Sequence, residues 1–399
     1  MEFDIRKKIV LNPTSLNENS VFQNELSNCR NGRISIMQQY TSVLPTFLQK
    51  ILCVTGLVGE SDKRSFYLKT TVIFSLVLIY TTVSIWISCF MYYSFDRLQI
   101  ALADLADYLL VLGLYCTMRC RRRLLSTTLR KVSRISAPSC GKKGNFLTFL
   151  LCCFPIAYSA SITLTTPDRR FGARFEAYGY ETQSAFAQIL IISIKSFLYF
   201  LVHPTFSNLL SFLYCILCNR CCSMIRNLTD YVLQISPKDF GTSKQIYILR
   251  RKARIDDALE NLQRTFSMPA FFIIVANFLS CGSVIGWFLF VDLSQYQCDV
   301  IIESAFYGAS SFSCLTAVLW IASELPVQLL KFKEAYNKKE HLRMIDFDRF
   351  EEPQLRRELF EKQEFVLSGC DMIFFKRGTV LAVFGTLLTY TVLIVNAKD

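Results

Sequence analysis

The chain has 399 residues, 52% of them hydrophobic, with 34 phenylalanines, only two histidines and a formal net charge of +12. Its positive mean hydropathy excludes an ordinary soluble protein of this length and suits a polytopic membrane protein, so length does not signal several soluble domains. The charge does not mark a nucleic-acid binder, because the excess lies largely beside apolar stretches, where it attracts anionic inner-leaflet lipid.

In chain order, residues 1–70 are polar and mixed in charge, and are expected to form a cytoplasmic N-terminal region without a cleavable signal peptide. A spanning helix needs about 20 mostly apolar residues. Seven stretches meet that need: Thr71 to Tyr93, Leu98 to Met118, Asn145 to Thr165, Ala185 to Leu217, Ser267 to Val291, Ile301 to Leu330, and Thr379 to Ala397. The fourth and sixth exceed a bilayer and are expected to continue as helices into water. The expected fold is all-α, with transmembrane helices one to six within 71–330. A cytoplasmic segment at 331–378 and a seventh helix at 379–397 follow, and only Lys398 and Asp399 come after it.

Orientation follows from where Lys and Arg lie, since positive loops stay in the cytoplasm. The loop 119–144 carries Arg119, Arg121, Arg122, Arg123, Arg130, Lys131, Arg134, Lys142 and Lys143 and no acid. The loop 218–266 carries nine basic residues against five acidic, and 331–378 eleven against ten. The three remaining loops have no basic excess. The expected N-terminus is therefore cytoplasmic and the C-terminus extracellular, opposite to a G-protein-coupled receptor.

The tail is more specific. Leu367-Ser-Gly-Cys-Asp-Met-Ile-Phe-Phe375 leads through Lys376-Arg-Gly378 into a last helix with Thr389-Tyr390, five spacer residues and the amide of Asn396. This stretch resembles the C-terminal signature of insect gustatory receptors: Thr-Tyr, five hydrophobic residues, Gln, Phe. Thr389 and Tyr390 match, Asn396 stands for the Gln, and Ala397 replaces the Phe. The resemblance covers the last 30 or so residues; over the rest of the chain it is architectural.

The resemblance implies a tastant-gated cation channel of the plasma membrane, assembled as a tetramer from identical or related subunits. The last helix of each subunit would line the pore, the cytoplasmic extensions of helices four to six would anchor the subunits, and the outer halves of helices two to six would hold a small-molecule tastant. The apolar and aromatic character of those halves points to a bitter or other non-sugar compound. An insect odorant receptor shares the topology. A secondary transporter would usually show internal repeats, and none is visible between the halves. No cofactor, catalytic triad, phosphate loop or metalloprotease motif is present, and an enzyme is not expected.

The last helix fits a pore on its own residues. Thr379, Thr386, Thr389 and Asn396 are separated by 7, 3 and 7 positions and fall near one helical face. With Leu393 they make a weakly polar stripe, narrowed by the Asn396 amides and poorly selective among small cations. In the alternative, the Thr hydroxyls bond their own helix carbonyls four residues back.

Ionisable groups inside spans are costly and usually buried against protein or water. Asp104 and Asp107 share a face of helix two, and Lys195 reaches a depth in helix four similar to Asp107. An Asp107–Lys195 ion pair would be structural or would line a ligand pocket. Tyr108, Tyr158, Gln188, Phe306 and Tyr307 lie in outer halves, where they are pocket residues or ordinary belt aromatics. Glu324, near the inner end of helix six, would snorkel toward the cytoplasm. His203-Pro204 and Leu325-Pro326 should bend their helices, with His203 packed or capping in preference to sensing pH. Pro353 should open a cytoplasmic helix carrying Leu355, Leu359, Lys362 and Val366 on one face. The sixteen cysteines offer no convergent metal site. Cys218 to Cys222 would be a juxtamembrane acylation site at most, and the sequon at Asn227 lies on the cytoplasmic side.

Overall fold

The computed structural model describes residues 44–58, 64–92, 95–135, 142–166, 168–290, 298–347 and 365–398. The expected helix after Pro353 lies outside these residues, apart from Val366, which has no regular structure. Most of the N-terminal region also falls outside them.

Among the described residues the chain forms eleven α-helices and one two-stranded hairpin. They are α1 (Thr46–Val54), α2 (Arg64–Tyr92), α3 (Phe95–Cys120), α4 (Arg122–Ile135), α5 (Lys142–Thr165), α6 (Arg169–Glu176), α7 (Ala185–Phe200), α8 (Ser207–Gln234), α9 (Thr242–Phe290), α10 (Cys298–Phe347) and α11 (Arg377–Lys398). The strands β1 (Ser368–Gly369) and β2 (Ile373–Phe374) pair antiparallel, with Ser368 opposite Phe374.

Each of the seven apolar stretches is helical over its described residues. Five helical runs are long and apolar enough to cross a membrane: Tyr67–Met91, Lys142–Thr165, Ala185–Gln234, Thr242–Gly286 and Cys298–Ile345. On α11, which runs Arg377–Lys398, the part with described side chains, Arg377–Leu393, is likewise apolar. Within the second apolar stretch, Leu98 to Met118, Asp104 and Asp107 interrupt the run on α3, and Asp96, Arg97 and Arg119 flank it. On α2, Leu68, Ile73, Leu76, Val83, Phe90 and Met91 are exposed, an apolar face suited to lipid.

The expected inner loops are largely helix. At 1.5 Å per residue, the 49 residues of α9 and 50 of α10 extend about 75 Å each, against about 30 Å of hydrocarbon. Outside the α-helices, the segment between α8 and α9 is only a short turn containing a one-turn helix at Pro237–Asp239. Phe240 in that turn is fully buried and meets Tyr336 of α10 at 5.3 Å. The core runs down α8, α9 and α10 through Leu217, Leu228, Leu259, Leu262, Leu325 and Phe332.

The basic loop is also partly ordered, because Leu125, Leu129 and Val132 recur on one face of α4 and bury against α9. Thr128 and Thr265 hydroxyls meet there at 2.9 Å, and Lys131 pairs with Asp257 at 2.7 Å.

Pro204 breaks the fourth apolar stretch as expected. It lacks the N–H a helix needs and pushes the preceding residue out of the helical region. His203 accordingly has φ −135° and ψ 123°, within a widened turn spanning Leu201–Phe206. Pro326 leaves α10 continuous through the same kind of residue.

The hairpin was not expected. It is fixed to α9 by Gln263, whose Nε2 donates to Ser368 Oγ (2.6 Å) and O (3.1 Å) while its Oε1 accepts from Ser368 N (3.0 Å). Cys370 N also donates to Ser267 Oγ at 3.0 Å. The turn places Cys370 and Asp371 at φ 54° and 57°, and Ser368 Oγ donates to Asp371 Oδ1 at 2.7 Å across it.

Candidate functional site

At the break at His203, the turn Leu201–Phe206 that follows α7 packs against α3, α5 and α10. Tyr158 of α5 stacks on Phe200 at 4.5 Å, and Phe306 and Tyr307 of α10 meet Tyr158 edge-on at 5.7 Å each. Phe200 meets Tyr307 at 5.2 Å. Such offset and edge-on pairs are each worth about 0.5–1.5 kcal/mol beyond their burial. Ile162, Ala173 and Ile192 complete the cluster.

Polar groups edge this aromatic set. Tyr108 of α3 and Tyr307 hydroxyls meet at 3.1 Å, and Tyr158 OH donates to Glu303 Oε1 at 3.3 Å. Asp107 Oδ2 lies 3.5 Å from His203 Nε2, with both side chains buried. Among the described residues neither His203 ring nitrogen makes a hydrogen bond. The His203 ring lies 5.8 Å from Tyr108 and 5.9 Å from Tyr307.

Four of the sequence candidates, Tyr108, Tyr158, Phe306 and Tyr307, thus converge, with Asp107 beside them. The Asp107–Lys195 ion pair is corrected: Asp107 faces His203, because the helix break turns that imidazole toward α3. Lys195 instead enters a separate cage. Its Nζ donates to Ser84 Oγ of α2 and to Tyr178 OH (2.8 Å), and lies 4.8, 4.6 and 5.8 Å from the ring centres of Tyr80, Tyr178 and Tyr199. Tyr178 OH donates to Ser84 Oγ at 2.6 Å, and Tyr199 OH donates to Glu176 Oε2 at 2.8 Å. Glu176 ends α6 in the outer segment. Burial pushes its carboxyl up to about 7, against the lowering effects of the Tyr199 bond and the Lys195 charge.

Gln188 stands apart from both groups and donates Nε2 to Thr182 O at 2.6 Å, closing the turn before α7. The side chain of Asp104 lies outside the described residues. Phe200, His203 and Glu303 complete the aromatic site and were not read as its members. Their signal was available only in part: Lys195 and Tyr199 of α7 and His203 in the turn after it recur every fourth residue.

On α11, Val380 and Leu387 are buried against neighbouring helices, while Leu381, Leu388 and Leu393 are exposed. Thr386 and Thr389 are exposed too, and donate to Ala382 O (2.9 Å) and Gly385 O (2.8 Å), four residues back. These bonds are the ones the alternative reading expects, with each hydroxyl satisfied by its own helix. Tyr390 approaches Gly282 of α9. The side chain of Asn396 is outside the described residues. Glu324 accepts from Gln328 (2.6 Å) and pairs with Arg377 (3.1 Å), so it is tied to α11. An open apolar cleft of about 500 Å³ lies between α9, α10 and α11, lined by Val284, Ile285, Phe312, Phe384 and Leu388 among others.

No protein-family model matches the chain, and no curated protein does. Solved structures do. The insect olfactory receptor OR5 from Machilis hrabei is similar with a TM-score of 0.63 at 12% identity, covering 95% of this chain and 100% of that one. The structure of the same receptor in complex with eugenol gives a TM-score of 0.62 at 12% identity, over 88% and 98% of the two chains. At that identity the likeness is one of fold, and it extends along nearly the whole chain.

Proposed function

We propose that this protein is a subunit of a chemosensory, ligand-gated cation channel of the plasma membrane. It would have seven spans, a cytoplasmic N-terminus and an extracellular C-terminus. The observation that carries the reading is the convergence of Tyr108, Tyr158, Phe200, Phe306 and Tyr307 into one aromatic site, in a chain with the fold of an insect olfactory receptor solved in complex with eugenol. Residues of this kind, with hydroxyls at the edge, suit a small, mostly apolar ligand bearing one or two hydrogen-bonding groups.

In this reading α11 lines the pore through Thr386, Thr389, Leu393 and Asn396. A tetramer of identical or related subunits covers the faces of α11 left open, and lipid meets α2. The tail signature favours a gustatory role with a bitter or other non-sugar tastant. An odorant-receptor subunit is the second reading, favoured by the fold likeness.

A calcium-influx screen over tastant and odorant panels, in cells expressing the chain alone and with candidate co-receptors, tests the proposal. Ion current separates a channel from a transporter. Once an agonist is found, Tyr158→Ala and Phe200→Ala should raise its half-maximal concentration at least about tenfold, as expected for losing roughly 1.4 kcal/mol or more of aromatic contact. Asn396→Ala should change conductance or basal opening with that concentration kept. Normal agonist potency in both well-expressed aromatic variants would overturn the site, and unchanged currents in the Asn396 variant would overturn the pore face.

A further inference from the structure

The Lys195 cage belongs to neither the aromatic site nor the pore face. Three tyrosines from three different segments surround one ammonium: Tyr80 from α2, Tyr178 from the outer segment and Tyr199 from α7, with centroids 4.8, 4.6 and 5.8 Å from Nζ. Hydroxyl oxygens of Ser84 and Tyr178 accept its protons, and the Glu176 carboxylate is one hydrogen bond away through Tyr199. Ring faces within about 6 Å of a cation attract it by their quadrupoles, and aromatic cages of this kind recognise organic ammonium groups.

Tyr178 is the left-handed residue just past the end of α6, with φ 54° and Gly179 N donating to Arg174 O at 2.9 Å, and this turn places its hydroxyl at Lys195. Lys195 is 8% exposed, and Tyr80 stands on the lipid-suited face of α2, so the side from which water reaches the cage is that of the half-buried Tyr178, in the segment between spans.

We propose that the Tyr80–Tyr178–Tyr199 cage is a binding site for small alkylammonium ions, filled in the unliganded protein by the ammonium of Lys195, which an external amine displaces. The tether sets the terms of the competition. A group held on a short flexible chain acts at an effective concentration in the millimolar range or above, so an external amine must exceed that concentration to enter the native cage. Removing the tethered amine should remove the competitor and leave the rings and hydroxyls in place. Tyr199 also meets Tyr108 at 6.3 Å, so the cage borders the aromatic site. The proposal stands without the channel reading.

The test is thermal unfolding of the purified full chain titrated with methylammonium chloride against sodium chloride. Lys195→Ala should melt below the unsubstituted protein and regain more than half of that loss in a saturable titration with methylammonium, as ligand binding to the folded state requires. The unsubstituted protein should need at least about tenfold more methylammonium for any shift. In Lys195→Ala/Tyr178→Leu the methylammonium and sodium curves should coincide. A Lys195→Ala curve no different from sodium, or a shift that survives undiminished in the double variant, overturns the proposal. If Lys195→Ala is recovered only as aggregate, Lys195→Gln carries the same titration. If that also aggregates, methylammonium present during solubilisation must restore a monodisperse species, and failure to do so overturns the proposal.

Discussion

Gln263 holds the hairpin that leads into the last helix, and its removal should loosen that hairpin more than any change at Ser368 itself. Gln263→Ala deletes three hydrogen bonds at once and leaves the N–H and C=O of Ser368, a buried residue, without the partners seen here. An unmatched buried polar group costs about 1–3 kcal/mol. Gln263 is half-buried, so water reaches part of the vacated space, and the two groups together should cost roughly 2–3 kcal/mol. That corresponds to roughly 30- to 150-fold in the local opening equilibrium. Ser368→Ala keeps both backbone bonds and loses only its hydroxyl contacts, which should cost about 1 kcal/mol. Hydrogen exchange of the Ser368 and Phe375 amides reads the opening directly, since they bond to Gln263 Oε1 and Leu367 O. Equal protection in the two variants, or no loss in Gln263→Ala, would refute the reasoning.

Gly369→Ala should destabilise by about 1–3 kcal/mol, because a Cβ there would meet the backbone N and Cα of Phe271 at 3.3 Å, and backbone yields little. A melting midpoint equal to that of the parent protein would contradict this. Glu176 supplies a pH dependence. Its carboxyl titrates near 7 in the fold against an ordinary 4.5, so the stability it adds is fully present below about pH 4.5 and is lost as pH rises through 7. The gap corresponds to at most about 3 kcal/mol, trimmed to about 1–2 kcal/mol by partial exposure. Melting between pH 5 and 8 should therefore fall in the parent and flatten in Glu176→Gln; parallel profiles would count against it.

Hydropathy alone located the long apolar helices, because a helix in lipid must satisfy its own backbone and so declares itself by an apolar run, but it gave no sign of α1, α4 or α6. Pro204 was equally legible, since a missing N–H acts locally. The extent of α9 and α10 beyond the bilayer was only half legible: their inner turns are polar, and their stability comes from stripes such as Leu259 and Leu262 that meet other helices. Asp107 and Lys195 show where sequence reasoning stops. Equal depth in two helices does not fix which side chains meet: Asp107 lies beside His203, and Lys195 beside Ser84 and Tyr178. The hairpin escaped for a similar reason, as two-residue strands carry no periodicity and Ser368 is held by a glutamine 105 positions earlier.

Helix α10 connects the aromatic site to the last helix without an intermediary. Phe306 and Tyr307 stand in the site, Phe312 meets Phe384 of α11 at 5.4 Å, and Glu324 reaches Arg377. From Tyr307 to Phe312 is five residues, about 7.5 Å along a rigid helix. A ligand that shifts the outer end of α10 should therefore act on α11 first through the Phe312–Phe384 contact. Such an aromatic pair is worth about 0.5–1.5 kcal/mol, which for one subunit is a two- to twelvefold change in an opening equilibrium and more when several subunits contribute. A double-mutant cycle with Phe312→Leu and Phe384→Leu, read as half-maximal agonist concentration and basal current, should give coupling of at least about 0.5 kcal/mol. Strict additivity of the two substitutions would place the connection elsewhere, leaving the ion pair between Glu324 and Arg377 at the inner end as the contact to vary next.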